Sequence, residues 1–342
     1  MRPETSKLPP LPRLTRISDE RAMRAFAPGG IGNLGPGLDI LGCALTGPGD
    51  TVIARRVSTP GVHIEEPGHP DLPADAARHA AGIAAAEVLR RVAVQGKITG
   101  REGVSLVVEK GLPLAGGQGG SSASAVAGAV AVNALFGNPL GEQDLLLAAL
   151  VAEERVAGRH LDNIAPALLG GIVLVRSMEP IDIVRIPVPA KLRVVLVRPD
   201  QRLETARARA VLPDVVPRAI ALAQAAGVGA MMAAFHTGNF ALLRRALDDR
   251  IAEPSRAPLL PGFVEAKQAA LAAGAFGCSI SGAGPTAFAF ANSDAGAKRI
   301  ASTMCAAYAR VGVRAEARLA RIDERGARLE RAVRSTRVRH RR

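Results

Sequence analysis

The stretch LAGGQGGSSASA, residues 114–125, decides how this chain is read. Four of the five positions 116–120 are glycine, two serines follow, and an Ala- and Val-rich run continues to Gly137. Glycine loses the most freedom on ordering, so four of them ahead of a helix mark a loop built for close approach. GVSLVVEKG (103–111) precedes it with strand character, giving the order strand, glycine loop, helix. Helix starts carry unpaired N–H groups and partial positive charge, and glycines let neighbouring amides turn inward as an anion nest. The expected anion is phosphate.

Named phosphate motifs divide on this sequence. A Walker loop needs Lys at the helix start, and none is present between 113 and 125. A dinucleotide fingerprint occurs as Gly30-Ile-Gly32-Asn-Leu-Gly35 with Asp50 downstream, but Pro36 and Gly37 forbid the helix that must follow. A protein-kinase loop lacks its HRD segment. A third glycine cluster, SISGAGPT (279–286), sits between two apolar runs. Three such turns suggest several backbones converging on one multiply charged ligand.

The 342 residues suffice for two domains of ordinary size. The amino terminus has no apolar signal core, and no window reaches 18 apolar residues free of glycine and charge, so no membrane span is expected. Cys43, Cys278 and Cys305 lack metal-type spacing and read as reduced thiols, consistent with a cytoplasmic chain. The net charge of +13 gathers at the ends: residues 325–342 hold eight Arg against one Glu, and residues 1–24 six Lys or Arg against three acids. These stretches lack aromatic interleaving and read as solvated tails, with no specific nucleic-acid contact expected.

Helical spacing predicts helices over 74–94, 121–137, 141–158, 205–212, 214–236, 238–251, 263–273 and 296–312. Strand patterns fall at 23–28, 50–57, 61–66, 103–111, 171–178, 183–189, 192–199 and 313–320, and 279–291 reads as strand, glycine turn and strand. The rhythm changes past Asp200, which places a division there: a tail 1–22, a domain 23–200, a second domain 201–324 and an Arg-rich tail 325–342.

Phosphoryl transfer needs a carboxylate or hydroxyl for a metal and an oriented acceptor. Glu153 shares a helix face with Leu146 and Leu150, and Glu154 with Leu147 and Val151, so periodicity leaves the choice between them open. Asp162-Asn163 lies in a turn-like segment where such residues commonly cap the chain. Arg207, Arg209 and Arg256 read either as surface charge or as forks for a carboxylate or phosphate.

Several local patterns match one family together. APGGIGNLGPGLDILG (27–42), PLAGGQGGSSASA (113–125) and SGAGPTAF (281–288) resemble, in order, the three motifs of the GHMP small-molecule kinases over residues 24–320. NLGPGLD (33–39), HLDNIAP (160–166), TARARAVLP (205–213) and AEPSRAPLLPGF (252–263) are similar to segments of the homoserine kinase branch. The resemblance implies an α+β two-domain fold: a ribosomal-protein-S5-like amino-terminal domain with a left-handed β-α-β unit, and a ferredoxin-like carboxy-terminal domain. It implies ATP-dependent phosphorylation of L-homoserine, with ATP and Mg²⁺ as cofactors.

Residue by residue, it implies that Pro113, Leu114, Ala115, Gly116, Gly117, Gln118, Gly119, Gly120, Ser121, Ser122 and Ala123 cradle the ATP phosphates. Glu153, not Glu154, falls on the metal position, with Ser121 beside it. Asn33, Asp39, Asp162, Arg209 and Arg256 fall on acceptor positions, Asp162 as binder or base and Arg209 as its catalytic companion. The loop departs from the usual Gly-Leu-Gly-Ser-Ser-Ala at Gln118, which replaces an apolar residue, and at Gly120, which replaces a serine. Another GHMP kinase, or a nucleic-acid-binding protein acting through its Arg-rich ends, is the rival reading. The adenine pocket and the oligomeric state, a homodimer included, are not legible.

Overall fold

The computed structural model describes residues 22–330 except Ala157; the tails at 1–21 and 331–342 lie outside the described residues. The first domain starts with β1 (Met23–Gly32), the long β2 (Leu41–Val57) and β3 (Gly61–Glu66). Helix α1 (Ala80–Val94) leads to β4 (Gly103–Glu109), which lies parallel to β3 and completes the expected β-α-β unit. Then come α2 (Gly120–Leu135), α3 (Glu142–Val156), the short α4 (Ile164–Leu169), β5 (Ile172–Met178) and β6 (Ile181–Ile186). Because α2 is Ala-rich and buried almost all round, it serves as the central helix against which α1 and α3 pack.

The second domain holds β7 (Arg193–Pro199), α5 (Thr205–Ala210), α6 (Arg218–Thr237), α7 (Phe240–Ala246), α8 (Ala252–Arg256) and α9 (Phe263–Ala272). It closes with β8 (Cys278–Ile280), β9 (Ala287–Ala291), α10 (Asp294–Arg310) and β10 (Ala315–Ala320). The antiparallel order β10-β7-β9-β8 is the ferredoxin-like arrangement. Period-two alternation splits this sheet between two cores. Ala287, Ala289 and Ala291 face α9 and α10, whereas Phe288 and Phe290 face Ile31, Leu41 and Cys43 of the first domain, with Phe235 of α6 edge-on to Phe290.

Several expectations shift. β7 pairs only in the second sheet, so the division falls before residue 193, not after 200. β11 (Arg328–Glu330), inside the stretch read as a tail, returns to pair with β1. β1 runs past Pro28 to Gly32 because an irregularity between Pro28 and Gly30 absorbs the proline. α1 starts six residues late, with the His79 side chain accepting from Ala81 N–H as its cap. α6 is long and apolar enough to cross a bilayer by length and composition, with a mean hydropathy of 1.4 in its best window, of which 22% is buried. Its buried side chains, Gln224, Met231, Ala234 and Phe235, place it against the core between the domains.

Candidate active site

One cavity of about 460 Å³ lies where the two domains meet, walled by the glycine loop, the start of α2, the end of α3, α5 and the third glycine cluster. Its size suits a small-molecule substrate. Helix α2 begins after Gly119, whose φ of 68° is left-handed, and no side chain caps it, so its first amides are free for an anion. Pro113, Leu114, Ala115, Gly116, Gly117, Gly119, Gly120, Ser121 and Ser122 line the cavity. Gln118 and Ala123 do not. Ala123 lies in the core against the helix bundle, and the Gln118 side chain turns toward the second domain, because the left-handed glycines on either side of it reverse the chain direction.

A buried charge network sets the loop. Lys110 bonds to Asp50, to the Gly120 carbonyl at 3.1 Å and to the Ser124 hydroxyl at 3.0 Å. The Asp50 carboxylate also accepts from Gly111 N–H, Leu112 N–H and the Ser124 hydroxyl. Asp50 is therefore a buttress under the glycine loop, a role that its place downstream of the excluded dinucleotide fingerprint did not signal. A Cβ on Gly120 would stand 3.4 Å from the Lys110 ammonium, so the serine expected there would sit against a cation, not the cavity centre.

At the far end of the loop both serine hydroxyls donate to Glu153 Oε2, Ser122 at 2.9 Å and Ser121 at 3.3 Å. Glu153 is buried while Glu154 is exposed, which resolves the ambiguity of α3. Burial pushes the Glu153 carboxyl above the usual carboxylate range, opposed by the Ser122 hydroxyl and by His160. Among the described residues no Lys or Arg pairs with it, and the His160 ring lies 4.0 Å from its Oε1, so a hard oxygen donor faces the glycine-loop end of the cavity.

Across the cavity, Asp162 Oδ2 accepts from Asn33 N–H at 2.9 Å and from the Asn163 amide at 3.3 Å, and Oδ1 accepts no hydrogen bond. Its carboxyl is also raised by burial, with His160 Nδ1 at 3.7 Å and Asp39 acting in opposite senses. Asp39 is held by Arg209 in a two-pronged pair at 2.8 and 3.2 Å. The Asn33 side chain accepts from Asp39 N–H, so it shapes the acceptor loop from within, and both residues occupy left-handed φ. Arg256 is 3% exposed, donating to the carbonyls of Ala208 and Gly282, with no carboxylate within salt-bridge distance among the described residues. Burial lowers the pKa of its guanidinium.

Thus Asn33, Asp39, Glu153, Asp162, Arg209 and Arg256 line the same cavity. Lys110, His160, Leu72 and Pro73 also line the cavity and were not singled out from the sequence, and Asn163, read only as part of a turn, lines it too. For His160 the signal available was its place two residues before Asp162 in HLDNIAP. The profile of the GHMP kinases N terminal domain matches residues 80–171, and that of the GHMP kinases C terminal region matches 231–310. The homoserine kinase of Arabidopsis thaliana is 42% identical over 321 residues, 91% of this chain and 85% of that protein. The chain belongs to the homoserine kinase branch of the GHMP kinases.

The homoserine kinase of Chlorobaculum tepidum is 39% identical, covering 90% of this chain and 98% of its own. In three dimensions the GHMP architecture extends over almost the whole chain: homoserine kinase from Cytophaga hutchinsonii superposes with a TM-score of 0.85 at 36% identity, covering 93% of this chain and all of that one. Mevalonate kinase of L. major, at 16% identity and a TM-score of 0.67, shares the GHMP fold alone.

Proposed function

We propose that this kinase transfers the γ-phosphoryl group of ATP to the side-chain hydroxyl of L-homoserine, giving O-phospho-L-homoserine for threonine biosynthesis. One observation carries this reading: a single cavity joins an uncapped helix start to paired carboxylates and guanidiniums set for a zwitterion. The loop amides of Ala115 to Gly117 and of Gly119 to Ser122 receive the triphosphate, and Leu72, Pro73 and Leu114 offer an apolar wall for adenine.

Arg256 takes the amino-acid carboxylate, which supplies the counter-charge its buried guanidinium lacks. Arg209 opens from Asp39 to share that carboxylate, and Asp39 turns to the ammonium. Asp39, His160 and Asp162 bring a ligand atom each within 4.8 Å of one another, and Arg209 neutralises Asp39, so an ammonium suits this cluster better than a metal ion. Asp162, with Oδ1 open, orients the acceptor. The hydroxyl oxygen then attacks the γ-phosphorus in line as the bond to ADP breaks. In a loose transition state the proton leaves late, so placement counts for more than a strong base.

Glu153 and Ser121, with Ser122 beside them, are the residues that would hold Mg²⁺. When bound, the ion neutralises phosphate charge. The test is turnover with Mg²⁺-ATP against homoserine, mevalonate, galactose and shikimate. Homoserine alone is expected to be phosphorylated at a substantial rate. Preference for another acceptor moves the chain to a different GHMP branch, and no turnover with any, alongside salt-sensitive nucleic-acid binding, overturns the kinase reading.

A further inference from the structure

We infer that Arg318, outside the cavity, strengthens the phosphate loop through a directed hydrogen-bond relay that runs by way of Gln118 and Thr286. The relay follows from donor and acceptor identities. Arg318 Nη2 donates to Gln118 Oε1 at 3.2 Å, Gln118 Nε2 donates to Thr286 Oγ1 at 3.5 Å, and the Thr286 hydroxyl donates to the Gly116 carbonyl at 2.6 Å. Every donor points the same way, from a guanidinium toward a loop peptide.

That peptide joins Gly116 to Gly117, both of which line the cavity. Pulling electron density onto its carbonyl oxygen makes its N–H a better donor to an anion, and successive bonds in such a chain polarise one another. Gly117 has its own backing, since the Ser281 hydroxyl donates to its carbonyl at 2.6 Å. The space behind the loop admits no alternative: a Cβ on Gly117 would stand 2.5 Å from the Ser281 carbonyl oxygen.

Arg318 is fixed for this task. Its other prong donates to the Thr46 carbonyl of β2 at 2.8 Å, so one guanidinium on β10 grips the first domain's sheet and its phosphate loop together. Gln118 is itself buried, and an amide there needs a donor and an acceptor, both of which the relay supplies. The apolar residue that GHMP loops usually carry at this position has neither, so the relay belongs to this chain's own departure from the pattern. Gln118, Thr286 and Arg318 are positioning residues: none of the three lines the cavity.

This inference rests on the phosphate-loop reading above, and its test separates the two. Binding of AMP-PNP with Mg²⁺ and of adenosine, which lacks phosphates, is measured by calorimetry on the full chain, together with KM values. Gln118→Met and Arg318→Met are each expected to weaken AMP-PNP about fivefold to tenfold, leaving adenosine affinity and the KM for homoserine within about twofold. The double variant should lose no more than either single one, because both break the same relay. Thr286→Ser keeps the hydroxyl and should retain wild-type affinity, which also shows that the site tolerates change without unfolding. Equal AMP-PNP affinity in the single variants, additive losses, or a parallel loss of adenosine binding would overturn the relay. Wild-type protein that binds no AMP-PNP would instead overturn the phosphate-loop reading.

Discussion

Asp162 concentrates the chemistry of the cavity in one side chain. Its Oδ2 is taken by Asn33 and Asn163 while Oδ1 is open, so the carboxylate is oriented yet incompletely satisfied. Burial raises its pKa, which means the empty protein holds this charge at a cost that a bound ammonium or hydroxyl removes. A group raised in the folded state contributes stability at low pH that is lost as pH rises through the folded pKa. Asp162→Asn, neutral throughout, is therefore expected to raise the melting midpoint of the ligand-free protein at pH 8 and to match wild type near pH 4. The same variant should raise the KM for homoserine at least about tenfold while kcat stays within a few fold, as expected for an orienting residue. Single-turnover transfer at saturating substrate checks this, and a collapse of that rate would make Asp162 a base.

The elements place these side chains through close backbone contacts that tolerate no extra atoms. Gly42 of β2 faces the Asp162 peptide, and a Cβ there would lie 1.7 Å from the Asp162 carbonyl oxygen. Gly42→Ala must push the 160–166 turn away from the cavity. It is expected to destabilise the protein by about 1–3 kcal/mol in chemical denaturation and to lower kcat/KM for homoserine more than the KM for ATP. The elements also explain what was legible. Helices α2 and α3, and the strands β4 and β7, were legible because length, composition and packing agree there, the strands as short β-branched runs buried on both faces. The extension of β1 and β2 through glycine and proline was not, since ladder pairing overrode punctuation that reads as loop. The six-residue α4 was hidden in a segment whose Asp-Asn pair and proline read as a turn.

Across the whole molecule the cavity depends on two domains being held in one register. The core between them sets Phe288 and Phe290 of the second sheet against Ile31, Leu41 and Cys43 of the first, with Phe235 of α6 closing it. Burial pushes the Cys43 thiol up to about 12, as befits a packing residue and not a nucleophile. Phe235→Ala empties part of this joint and is expected to cost about 3–5 kcal/mol, read by far-UV circular dichroism because the chain has no Trp. The variant should also raise the KM values of both substrates, since its effect falls on the joint and not on one subsite. β11 adds a second tie: Arg24 bridges Glu109 of β4 and Glu330 of β11 across the first sheet.

The amino-acid sequence determined the glycine loop ahead of α2, because glycine backbone freedom and an uncapped helix start are local properties that travel with the residues themselves. It also picked out the acids and arginines that line the cavity, since their order along the chain matches one branch of one family. Folding decided how those groups pair. That Arg209 rests on Asp39, that Asp50 and Lys110 brace the loop from below, and that Gln118 turns its amide to Thr286 and Arg318 are contacts between residues up to 200 positions apart. Such pairings depend on where distant backbones meet, and no period or motif along the chain encodes that meeting.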